Sequence, residues 1–212
     1  GNLAEPCALD ERPLQQQRFV ILDLETSGLN MRRDQVLSIG AVVIDNGAID
    51  LSQQFECTLQ RLDHQASAST LIHGIAPSEI ANGEDPAEAL LSFMEFVGDS
   101  PLLAFHAEFD QRMLARALKQ SLGYRLQHAF FDVAEIAPLL CPKAKLPHAG
   151  LDDWTAHFGL QVQQRHHASA DALVTAELAL ILLSKARQQQ LDNLPALLQQ
   201  LNSRRRQRAH SM

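Results

Sequence analysis

The stretch Phe19-Val20-Ile21-Leu22-Asp23-Leu24-Glu25 constrains the folds open to this chain more than any other. Its first four residues are aromatic, β-branched or leucine, the make-up of a buried strand. Side chains alternate along a strand, so Asp23 and Glu25 point to one side and Leu24 to the other. Two neighbouring carboxylates at the end of a buried strand repel each other and lose hydration, at a cost of several kcal/mol for each unpaired charge. Something must compensate. A divalent cation would do so, as would arginine partners or a helix N-terminus.

The remaining elements build a sheet around that strand. Gln35–Asp45 reads as a second strand, the Asn46-Gly47 turn as an antiparallel connection, and "LSQQFECTLQ" (residues 51–60) as a third strand. Short helical turns are predicted from Ser67 to Asn82, then an amphipathic helix in "DPAEALLSFMEFVGD", with proline in its first turn and glycine near its end. "PLLAF" is a short strand, residues 107–123 a helix closed by Gly123, and "AFFDV" a last strand. Helices are predicted around 134–140, 151–158 and 170–188, with a short one in "LDNLPALLQQL". Antiparallel strands followed by strand–helix alternation give the α/β class, a mixed sheet flanked by helices. The chain's 212 residues suit one domain. The expected organisation is a polar N-terminal arm (1–17), a domain (18–187), and a C-terminal helix with an arginine-rich tail (188–212).

The net charge of −7 argues against a protein that grips long duplex DNA by its phosphates. Four arginines crowd into the tail (Arg204, Arg205, Arg206 and Arg208), leaving 14 basic residues against 25 acidic ones elsewhere. Any nucleic-acid contact is then local or bridged by metal ions. No apolar run reaches the ~20 residues that span a bilayer, so no membrane association is expected. The N-terminus lacks a hydrophobic signal core, and Cys7, Cys57 and Cys141 are scattered without a C-x-x-C pair. Both features suggest a cytoplasmic protein with free thiols and no structural zinc.

If Asp23 and Glu25 hold a metal, further acids should stand at the ends of neighbouring elements. Asp110 falls in the first turn of a helix that follows a strand, and Asp171 at the start of the longest helix, five residues after His166. Either acid alone is an ordinary partner for a helix dipole. The ordered set is more specific. "DLETSGL", "HAEFD" and "HHASAD" stand in the order of the three motifs of the DEDD superfamily of 3′–5′ exonucleases, and the chain resembles its histidine-type branch from about Arg18 to Leu183. "IHGI" at residues 72–75 matches the segment after that family's third strand.

The resemblance implies a ribonuclease H-like fold: a mixed five-stranded sheet, the meander continued by two parallel strands. It implies two divalent cations, Mg²⁺ or Mn²⁺, with Asp23, Glu25, Asp110 and Asp171 as ligands and His166 as the base that deprotonates the attacking water. Oxygen ligands suit Mg²⁺, and two dications balance four carboxylates, which answers how an acidic body can accept a phosphodiester. An imidazole with an ordinary pKa near ~6.5 suits that proton transfer at neutral pH.

The same resemblance places Thr26, Gly28 and Leu29 against the 3′-terminal nucleotide, and His73 and Phe109 against terminal bases. For Gly28, Leu29 and Phe109 the alternatives are a plain glycine turn and core side chains. One departure concerns His106, where many relatives have asparagine. The hydrogen bonds that asparagine makes are in doubt here, and His106 either replaces them or meets substrate. A second is Ala76, where threonine is frequent. His64, His128, His148 and His157 read as surface or loop residues, and Trp154 as core.

The leading expectation is an exonuclease that removes nucleoside 5′-monophosphates from the 3′ end of single-stranded DNA. An exoribonuclease acting on short RNA or tRNA 3′ ends shares the same catalytic residue types. A non-catalytic nucleic-acid-binding module is a third alternative, disfavoured because all five catalytic positions are filled. Association with a DNA polymerase fits the resemblance, but no clear polymerase-binding extension follows the domain. A free-standing enzyme or a shortened chain is expected. The arginine tail either guides the strand by its charge or is a solvated terminus.

Overall fold

The computed structural model describes residues 3–61, 75–161 and 168–212, with only the backbone of Ala168. Strand β1 (Phe19–Thr26) pairs antiparallel with β2 (Val36–Asp45), and β2 with β3 (Ala48–Thr58). The β2–β3 connection is the expected tight turn, with Asn46 at φ 51° and Gly47 at φ 76°. The short strands β4 (Leu102–Ala104) and β5 (Phe130–Asp132) continue the sheet in parallel, giving the order β3-β2-β1-β4-β5. The chain therefore has the mixed five-stranded α/β sheet expected of a ribonuclease H-like fold.

Helix α1 (Pro77–Ala81) precedes α2 (Pro86–Val97), and α3 (Ala107–Leu122) links β4 to β5. After β5 come α4 (Val133–Leu140), α5 (Leu151–His157), α6 (Ala168–Gln188) and α7 (Leu194–His210). The start of α2 follows from its sequence, since the Asp85 side chain accepts the Glu88 N–H and Pro86 fills the first position. Helix α3 ends at Gly123, which takes the left-handed conformation at φ 61°.

Alternation along the strands separates two cores. Val20, Leu22 and Leu24 pack with α2 and α3 on one face of the sheet. Phe19 and Ile21 pack on the other face with α4, α5, α6 and α7, where Trp154 is fully buried as expected. β1 and β2 are covered on both faces, so they read as near-continuous apolar runs. β3 lies at the edge, and Cys57 alone of its residues is buried.

Both flanking segments join the second core. Leu14 of the N-terminal arm is buried there, and its N–H meets the Asp192 carbonyl at 3.1 Å. Leu194, Leu197 and Leu201 of α7 lie in the same cluster. The C-terminus also differs from the expected short helix with a tail, because α7 runs through all four arginines to His210. Asn193 caps its start by accepting the Ala196 N–H at 2.8 Å, arginine favours helix, and Arg205 pairs with Glu135 at 2.8 Å.

His128, expected as a surface or loop residue, lies in the loop before β5 but is buried there, with Nε2 2.7 Å from the Gly98 carbonyl at the end of α2. That contact satisfies a helix-end carbonyl and draws the connection before β5 inward. Among the described residues, no helix is long and apolar enough to cross a membrane.

Candidate active site

β1, β4 and β5 run parallel to one another, so their C-terminal ends open on the same edge of the sheet. In α/β sheets this edge is where ligands bind. Asp23 and Glu25 continue the row of Phe19 and Ile21, on the face packed against α6. The first turn of α6 brings Asp171 to the same place. One carboxylate oxygen from each of Asp23, Glu25 and Asp171 lies within 4.8 Å of the others. Three hard oxygen donors that close fit a divalent ion such as Mg²⁺ or Mn²⁺.

Asp110 arrives from the other face, in the first turn of α3, and is 3% exposed. It lines the same cleft but stands outside the three-acid group. Burial pushes its carboxyl well above the usual carboxylate range, the nearby Asp132 charge adds to this, and the Leu24 N–H it accepts offsets part of it. Leu24 lies beyond the residues of β1 that pair with β4, so its N–H is available to this carboxylate. The cleft holds about 800 Å³ and is lined also by Leu29, Phe105, His106, Phe109 and residues 150–153.

The turn after β1 is held by its own side chains. Asp34 accepts the Ser27 hydroxyl at 2.9 Å and the Asn30 N–H at 2.8 Å, and the Thr26 hydroxyl donates to the Gly28 carbonyl at 2.7 Å. A Cβ on Gly28 would stand 2.5 Å from the Asp34 carboxylate, so a larger residue there would displace Asp34 and disturb its bonds to Ser27 and Asn30. Leu29 is 85% exposed at the cleft, which excludes the core reading of that residue. Phe109 is half-buried, packing against the α2–α3 core and also lining the cleft.

His106 occupies the left-handed conformation, φ 64° and ψ 54°, as the cap of α3. Asparagine enters that region most readily of the non-glycine residues, and histidine is also enriched there. The bond that fixes the turn comes from the His106 backbone N–H to Asp132 Oδ1 at 2.8 Å, and a backbone donor does not depend on residue type. Asp132 also accepts the N–H groups of Ala107 and Ala134. Burial raises its carboxyl above the usual range despite these bonds. Sequence reading missed Asp132 and the acids Asp152 and Asp153 at the cleft. Their only signal was a position at the end of one strand and in the first turn of α5. His73, His166 and His167 lie outside the described residues.

Residues 20–179 match the model of the exonuclease family RNase_T. The chain belongs to that family, within the DEDD superfamily. The sequence is 31% identical over 171 residues to the DNA polymerase III PolC-type of Thermotoga maritima, and 28% identical over 178 residues to that of Bacillus subtilis. These matches cover 81% and 82% of this chain but 12% of either relative, so the chain spans about an eighth of their length. Its fold matches a solved exonuclease I at TM-score 0.69 and 22% identity, over 83% of this chain and 42% of that one. E. coli exonuclease I in complex with a dT13 oligonucleotide matches with the same TM-score at 19% identity, covering 82% and 42%.

Proposed function

We propose that this chain is a metal-dependent 3′–5′ exonuclease acting on single-stranded DNA and releasing nucleoside 5′-monophosphates. The observation that carries the reading is the convergence of Asp23, Glu25 and Asp171 within 4.8 Å at the sheet edge. Asp110 lines the same cleft and brings the proposed ligand set to four carboxylates. These residues would hold two divalent cations, Mg²⁺ or Mn²⁺, which when bound activate a water and stabilise charge on the leaving 3′-oxygen.

The chain's own residues supply the rest. His166 takes the proton from the attacking water, a task suited to an imidazole at neutral pH. Leu29 and Phe109 hold the terminal base between apolar surfaces, an interaction that tolerates any base and is worth ~1–3 kcal/mol. Thr26 and Gly28 keep the backbone close to the 3′-hydroxyl, where a side chain on residue 28 would collide with Asp34. The resemblance assigns His73 a contact with the terminal nucleotide, and His106 lines the cleft. The PolC-type relatives and the exonuclease I solved with a dT13 oligonucleotide favour DNA over RNA.

Digestion of 5′-labelled single-stranded DNA and RNA oligomers with Mn²⁺, side by side, tests this. A ladder that shortens from the 3′ end, faster on DNA, is expected. RNA degraded with DNA intact would transfer the reading to an exoribonuclease. Cleavage of a circular single strand at a comparable rate would contradict exonuclease action.

A further inference from the structure

Charge in this chain is sorted in space as well as in sequence. Residues 136–151, 178–191 and 193–212 contain eight of the 18 lysines and arginines and none of the 25 acids. The fold brings these three stretches together. Lys143 and Lys185 line a groove of about 490 Å³, and Lys145 and Arg204 line a second of about 500 Å³. Cys141 and Pro142 line both grooves, so the two adjoin. Arg208 of α7 reaches His148 at 3.4 Å, and Arg205 meets Glu135, the one acid on α4, at 2.8 Å. Arg206 remains exposed beside them.

We propose that this basic face is a second nucleic-acid site, which holds the sugar–phosphate backbone of the substrate strand behind its 3′ end. The proposal rests on the exonuclease reading given above. Continuity with the catalytic cleft favours a strand over an acidic protein. Helix α5 joins the two regions: its N-terminal residues Leu151 and Asp152 line the cleft, and His157 with Phe158 at its other end line the Lys143–Lys185 groove. Seven helical residues span about 10 Å, roughly three stacked nucleotides at ~3.4 Å each. The groove also has the chemistry of a single-strand site. His157 is exposed and offers a ring to a base, while Phe158 is half-buried, stacked on Trp154 at 6.1 Å with the Lys185 ammonium 5.8 Å from its ring centre, and lysines flank both. Aromatic faces stack on bases without reading sequence, while cations follow the phosphates.

The test uses the full chain with Lys143, Lys145, Arg206 and Arg208 all changed to alanine. All four side chains are exposed and none belongs to the catalytic cleft. For a 20-nucleotide single strand, KM is expected to rise about 10–100-fold with kcat unchanged. The salt dependence of log KM should become shallower by about two to three, at ~0.7 for each phosphate that is no longer neutralised. Hydrolysis of the p-nitrophenyl ester of thymidine 5′-monophosphate, too short to reach the face, should stay at the unmutated rate. Equal KM for the long strand in both proteins would overturn the proposal, as would an equal loss on the long and short substrates. Anisotropy without metal supplies a second measurement, since tight polyglutamate binding with no oligonucleotide binding would assign the face to an acidic protein instead. If the unmutated chain hydrolyses neither substrate, the exonuclease reading itself fails, while the anisotropy result still decides whether the face binds a strand.

Discussion

The acidic cleft and the basic face lie at opposite ends of one seven-residue helix, yet they are built in different ways. In the cleft the charged groups are short and anchored. Asp110 and Asp171 are buried in first turns of helices, Glu25 is at the end of a central strand, and Asp110 is tied to the Leu24 N–H. On the basic face the charges sit on long side chains, and Lys143, Lys145, Arg206 and Arg208 are exposed. Fixed ligands suit ions that demand one geometry, whereas flexible cations suit a strand that must move after each cut. The net charge of −7 averages the two regions and describes neither.

The comparison breaks most severely at the anchored end. Asp171→Asn should lower turnover more than about 10³-fold, because loss of a metal ligand forfeits several kcal/mol of transition-state stabilisation. Its metal-free melting temperature should hold or rise, since one charge leaves a crowded acidic cluster. Near-normal turnover by Asp171→Asn would place the ions elsewhere.

Next in size is the base. His166→Ala should lose about 10²–10⁴ in kcat and flatten a rise of rate with pH through roughly 6–7, whereas His167→Ala should lose less than about tenfold. The reverse pattern would exchange the two roles and leave the cleft as described.

Asp132 sharpens the distinction between positioning and folding. Its carboxylate accepts the N–H groups of His106, Ala107 and Ala134, so it sets the turn that aims Asp110. Asp132→Ala should cut kcat about 10–100-fold, the range for losing a group that orients a metal ligand, and cost about 1–2 kcal/mol as a lost helix cap. Asp132→Asn, which keeps an acceptor oxygen, should recover most of both. A fall in stability with kcat unchanged would reduce Asp132 to a structural cap.

The smallest effect lies outside both regions. Burial pushes the Cys57 thiol up to about 12 from an ordinary 9.0. Between those values the folded protein keeps a proton that the unfolded chain releases, so stability should decline as pH rises above 9. Cys57→Ala should flatten that decline in pH-dependent urea melts. An unchanged slope would assign the alkaline loss to other groups.

Much of the fold was legible in the sequence because its cues are local, and so was the clustering of Asp23 and Glu25. Alternation in β1 put Asp23 and Glu25 on one side, whereas Asp110 and Asp171, ordinary acids at helix starts, were singled out by the resemblance to the family's ordered motifs. Long-range partners were not legible. Asp132 fell within the segment read as the last strand; it also caps α4, and its bond to His106 crosses 26 residues. His128 sits in a connection that reads as surface and is buried by a contact 30 residues away. The arginines of α7 read equally as a solvated terminus, because the one acid that pairs with Arg205 stands 70 residues earlier. The basic face emerges only when three separate stretches meet.

The central claim is that the acid cluster works with divalent ions at a 3′ end. Mn²⁺ titration into metal-stripped protein, following a 5′-labelled single-stranded DNA oligomer, measures this directly, with Asp23→Asn in parallel. Stepwise shortening from the 3′ end should begin only as the ion is added, only in the unmutated chain, and stop in excess chelator. Full shortening in chelator, or by Asp23→Asn, would contradict it.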